Sequence, residues 1–182
     1  MAIKTFTAGE VLTASDTNTF LANSGLVFVK SQTIIGTPSS ITVTDAFSST
    51  YDNYVVQVTN TTASAGTFVS IAFGSTTSGY QWNLIYTNYA TSAQTLNNNN
   101  DSALKYVAAT VSGTKLNCSI PISGPNISGY TTVGPCSYAD AGAAGTSNGF
   151  VNSTTQYTSF TISVGSGNLT GGVITVYGYR KA

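Results

Sequence analysis

The stretch Phe47-Ser48-Ser49-Thr50-Tyr51-Asp52-Asn53-Tyr54-Val55-Val56-Gln57-Val58-Thr59 decides the fold. Ser48, Ser49 and Thr50 compete for backbone hydrogen bonds and cannot hold a helix, while Asp52-Asn53 supplies turn chemistry. Tyr54, Val55, Val56 and Val58 then set up a strand, since aromatic and β-branched side chains fit a pleated surface. Apolar positions nearly fill both faces, which places this strand centrally in a sheet. Gly172-Val173-Ile174-Thr175-Val176-Tyr177-Gly178-Tyr179 has the same character. The two stretches are expected to lie side by side and close the domain.

Working outward, the chain from Gly25 onward alternates short apolar runs with Gly, Asn and Ser clusters. Strands are expected near 26–35, 40–44, 54–59, 67–73, 81–86, 104–111, 115–122, 157–164 and 173–179. Alternation is cleanest over Leu116 to Ile122 and Phe160 to Val164, the pattern of half-buried antiparallel strands. The expected class is all-β, an antiparallel β-sandwich of jelly-roll type over residues 25–182, preceded by a short N-terminal helix. Two stretches lack a strand period: 87–102, which contains the run TLNNNND, and 124–149, rich in Gly, Ala, Ser and Asn. Both are expected to be long loops.

Residues 1–24 differ from the rest. Thr13-Ala14-Ser15-Asp16 matches a capping box, with Thr13 as N-cap, opening a helix through Phe20 and Leu21 to about Asn23. So short a helix is marginal alone in water and needs a surface to dock on.

Only 7% of the 182 residues are charged, and six basic and six acidic side chains cancel. Thr, Ser, Asn and Gly must therefore make the surface, and nothing in the charge points to nucleic acid or an anionic membrane. Such a neutral surface suits a chain packed against copies of itself. Histidine is absent, which excludes Ser-His-Asp and Cys-His catalysis and His-rich metal sites. No apolar run reaches the roughly 18 residues of a membrane helix, and the opening MAIKTFTAGE lacks the apolar core of a signal peptide. Neither membrane insertion nor secretion is expected. Cys118 and Cys136 are expected as two reduced core thiols, with a disulfide between them as the open alternative.

The opening Phe6-Thr7-Ala8-Gly9-Glu10-Val11-Leu12-Thr13-Ala14-Ser15-Asp16-Thr17-Asn18, followed by Phe20-Leu21-Ala22-Asn23, resembles the start of many small virion structural proteins of tailed bacteriophages. Tyr51-Asp52-Asn53-Tyr54 and Ile174-Thr175-Val176-Tyr177-Gly178 look like the first and last strands of the β-domain that follows in such proteins. The match covers about a third of the chain and says little about the middle. The resemblance implies a virion protein assembled in the bacterial cytoplasm. Its first 24 residues, through Phe6, Leu12, Phe20 and Leu21, would attach to another virion protein. The β-domain would be displayed outward as a homotrimer, a tail fibre or fibre tip that binds a host-surface receptor. Weak single attachments become avid in a trimer. A capsid decoration or head-fibre protein, and a surface-polysaccharide depolymerase, are the alternatives.

Aromatic rings beside amides suit a sugar, because a ring face stacks on a pyranose while amides bond its hydroxyls. Tyr89, Asn98, Asn99, Asp101, Tyr130 and Tyr138 are the expected glycan contacts, with the rings in loops. Trp82 and Tyr86 are expected in the core or a subunit contact. A glycosidase needs paired carboxylates, and Asp101 with Asp140 is the pair available. One carboxylate among the amides of Asn97 to Asp101 makes a weak calcium cage. The chain is therefore expected to be non-enzymatic, with no metal and no cofactor.

Overall fold

The computed structural model describes residues 7–16, 25–88 and 93–181. Among them run thirteen strands in chain order: β1 (Leu26–Thr33), β2 (Ser40–Val43), β3 (Tyr51–Ala63), β4 (Thr67–Phe73), β5 (Tyr80–Asn88), β6 (Gln94–Asp101), β7 (Leu104–Thr110), β8 (Lys115–Ser123), β9 (Thr131–Ala139), β10 (Ala143–Val151), β11 (Phe160–Val164), β12 (Leu169–Thr170) and β13 (Val173–Arg180). The fold is an all-β, antiparallel sandwich of unequal sheets. The larger has the order β1-β13-β3-β8-β9-β10-β5-β6, with β12 also on β3. The smaller is β2-β11-β4-β7.

The expected central strand is central. β3 lies between β13 and β8, with Val56 opposite both Val176 and Ile120. All three side chains are fully buried. They face Val69, Ile71, Phe73, Phe160 and Ile162 of the smaller sheet in one core. Phe47 and Tyr54 pin the start of β3. Their rings meet edge to face at 4.8 Å, and the Tyr54 hydroxyl accepts from the Ser48 amide (2.8 Å) and donates to the Ser48 carbonyl (2.9 Å). The turn falls on Ser49 and Thr50, whereas Asp52 and Asn53 are already in the strand. Asp52 is held there by an ion pair with Lys181 (2.7 Å).

Both expected long loops hold strands over much of their length, although 124–130 stays a loop. The asparagine run is β6, an edge strand laddered onto β5 from Gln94↔Tyr86 to Asp101↔Tyr80. Because nearly all of it is exposed, it has no buried face to impose a period of two, and its neighbour's backbone makes it a strand. Residues 124–149 hold β9 and most of β10, a hairpin paired from Ala144↔Ala139 to Val151↔Thr131. Its small residues are packing devices. A Cβ on Gly149 would collide with Leu104 and the Gln81 carbonyl, and one on Gly145 with the Ile85 carbonyl.

Thr13 caps as expected: the Asp16 amide donates to Thr13 Oγ1 (3.1 Å), and the Thr13 amide donates to Asp16 Oδ2 (3.1 Å). The described helix is one turn, α1 (Ala14–Asp16). Its expected continuation through Phe20 and Leu21 lies outside the described residues, as does Phe6. Residues 7–15 are exposed throughout, with Leu12 at 50%. The thiols of Cys118 and Cys136 are free, and burial pushes each up to about 12.

Candidate functional site: an amide face on the larger sheet

Register assembles the site. Antiparallel pairing puts directly opposite residues on one face of a sheet, and Asn83 on β5 is opposite Asn97 on β6 and Asn148 on β10. The three exposed amides form a row across three strands. One step along, Gln81, Phe150 and Thr132 form a second row on the same face. Together the rows line a shallow cavity of about 450 Å³. The Tyr130 ring, 59% exposed, packs at 5.5 Å on Phe150 and extends an aromatic shelf at the rim.

Of the expected contacts, Asn98 and Asn99 line this cavity and Tyr130 flanks it. Asn98 and Asn99 belong to the strand β6 and not to a loop, whereas Tyr130 lies, as expected, in a loop, directly before β9. Between Tyr80 and Trp82 the β6 partner carries an extra residue, a bulge. Asn98 Oδ1 accepts from the Asn100 amide (2.9 Å) and Asn100 Oδ1 from the Gly79 amide (2.8 Å). Asn98 thus shapes the bulge as well as the cavity. Tyr89 lies outside the described residues. Asn83, Asn97, Asn148, Gln81 and Phe150 were not expected. Only strand pairing brings them together, and no local motif announces it.

Asp101 is not a surface ligand. It is buried and fixed by Trp82 Nε1 (3.0 Å), Lys105 Nζ (2.9 Å) and the Ser102 amide (2.7 Å). Burial alone would raise its pKa, but Lys105, Ser102 and Trp82 outweigh it and hold the carboxyl below the usual range. Trp82 is 9% exposed and Tyr80 fully buried, as core residues.

Tyr138 sits on β9, away from the amide rows. With Phe68, Tyr106 and Asp140 it lines a second cavity of about 460 Å³, between the β4–β7 edge of the smaller sheet and the β9–β10 turn. Asp140 accepts from the Tyr138 hydroxyl (2.6 Å) and from the Gly142 (2.8 Å) and Ala143 (2.7 Å) amides. Burial raises its pKa, but these donors outweigh it and hold the carboxyl low. A glycosidase acid needs a raised pKa, and neither Asp101 nor Asp140 has one. Among the described residues the two share no partner.

Comparison with family models, with curated proteins and with solved structures finds no match to this chain. The geometry therefore carries the chemical reading. Three in-register amides beside a tilted Phe-Tyr pair offer paired donors and acceptors next to an apolar surface. That is the complement of a neutral sugar ring. Among the described residues no cluster of three metal-ligating side chains occurs.

Proposed function

We propose that the chain is a non-enzymatic structural protein of a tailed-bacteriophage virion. Residues 1–24 attach it to the particle. The sandwich, as a homotrimer, serves as a tail fibre or fibre tip whose amide face binds a neutral host-surface glycan. The observation that carries the binding role is the row Asn97, Asn83, Asn148 beside Phe150 and Tyr130, set on a rigid sheet. Attachment rests on the resemblance of residues 6–23 to virion proteins, and the exposure of residues 7–15 leaves that segment accessible for it. Self-association is supported by the uncharged strip of Leu26, Phe28 and Tyr179, all exposed, where β1 follows the attachment segment. Copies joined through residues 1–24 would meet along that strip.

The test is competition for infection. Purified protein is expected to bind host cells and block adsorption, and Asn83→Ala with Asn148→Ala is expected to lose both effects while melting as the parent does. If particles lacking the protein stay infectious but burst more readily, it reinforces the capsid and the fibre reading is wrong. Release of reducing ends from host polysaccharide would make it a depolymerase instead.

A further inference from the structure

The second cavity differs chemically from the amide face. Phe68 on β4, Tyr106 on β7 and Tyr138 on β9 wall it, and Asp140 stands at the β9–β10 turn. The Phe68 and Tyr106 rings are 5.0 Å apart, and Tyr106 meets Tyr138 edge to face at 5.8 Å. Three aromatic rings and a carboxylate therefore border one space. One polar group of the lining, the buried Thr110 hydroxyl, is already engaged with the Ala65 carbonyl (2.8 Å) and the Thr67 amide (3.0 Å).

Tyr106 is placed by force. Its φ is +63° within a strand, a conformation that strains a bulky side chain and persists only when the surroundings impose it. They do. β7 carries extra residues against β4 between Ala108↔Val69 and Leu104↔Ile71, and the buried Ser147 hydroxyl donates to the Tyr106 carbonyl at 2.7 Å. The bulge turns the ring into the cavity between Phe68 and Tyr138. Strain of this kind concentrates at ligand sites.

Charge sets the ligand. Asp45, Asp52 and Asp101 pair with Lys30, Lys181 and Lys105, whereas Asp140 has no cationic partner among the described residues. Lys105 Nζ lies 5.8 Å from the Phe68 ring but is neutralised by Asp101. An anion without a counter-ion, facing aromatic walls, favours a positive guest, because ring quadrupoles and the carboxylate attract the same sign.

We propose that the Phe68, Tyr106, Tyr138 and Asp140 cavity is a binding site for an organic ammonium group, borne on an alcohol or a sugar. This site is separate from the amide face and does not depend on the virion reading. Calorimetric or NMR titration of the full chain tests it with matched pairs: choline against its neutral isostere 3,3-dimethylbutan-1-ol, and glucosamine against N-acetylglucosamine. At least one cation is expected to bind about tenfold tighter than its neutral counterpart. Selectivity for choline would identify a quaternary headgroup, and selectivity for glucosamine an amino sugar. Asp140→Asn keeps the turn's Oδ1 acceptor and is expected to abolish the preference; Tyr106→Leu, which keeps the apolar volume, is expected to weaken cation binding. Equal binding of cation and neutral isostere, no binding by any of the four, or a preference for the cation that survives Asp140→Asn would each overturn the proposal.

Discussion

Asp101 shows how one residue changes role once its neighbours are known. In the sequence it closes an asparagine run, where a carboxylate suggests a ligand or an acid. In the fold it is the buried hub of Trp82, Lys105 and Ser102. Its pKa is lower folded than unfolded, so the folded state binds its proton less readily than the ordinary value of 3.8 implies. The resulting stabilisation is complete above about pH 5 and is lost as pH falls through the carboxylate range. Asp101→Asn is therefore expected to lower the urea midpoint at pH 7, and the gap from the parent should narrow by pH 3. A gap independent of pH would mean that shape, not charge, holds the hub. Val56 makes the complementary case. Val56→Asp puts an unpaired charge between Val176 and Ile120 and is expected to cost about 3 to 5 kcal/mol by chemical denaturation. Near-normal stability would show that the interior is not where β3 places it.

At the scale of elements, legibility followed burial. Strands with one or two faces in the core declare themselves: β4 falls on 67–73 as expected, and β1, β2, β5, β7, β8 and β13 differ from expectation only at their ends. β6, β9 and β10 were silent for two reasons. β6 is nearly all exposed, so no alternation is selected along it. β9 is interrupted by Gly134-Pro135, residues that argue against a strand interior, and β10 carries Ala143, Ala144, Gly145, Ser147 and Gly149, small residues that give little strand signal yet allow a close approach that only the neighbours justify. Gly149→Ala tests this directly. The added methyl must displace Leu104 or the β5 backbone, and an expected loss of about 1 to 3 kcal/mol should appear as a lower melting temperature. An unchanged melt would make glycine there incidental. The same blindness hid half of the candidate site, since Asn83 and Asn148 join Asn97 through pairing across the sheet and not through proximity in the chain.

At the scale of the whole molecule, the proposed division between residues 1–24 and the sandwich has a simple consequence. Because residues 7–15 are exposed, deleting residues 1–24 is expected to leave the melting temperature and the β-sheet circular dichroism signal of the domain unchanged while abolishing incorporation into particles. A melt lowered by many degrees would make the segment part of the fold. By itself the sequence determined the all-β class, the central place of Tyr54 to Val58 beside Val173 to Tyr179, and the capped turn at Thr13. It also determined the want of proton-shuttling histidine. These follow from side-chain preference and burial, which are written locally. Only the tertiary structure decided that the asparagine run is an edge strand, that amides from three strands share a face, and that Tyr106, Tyr138 and Asp140 enclose a cavity. Register and sheet packing join residues far apart in the chain, and no local preference encodes which of them will meet.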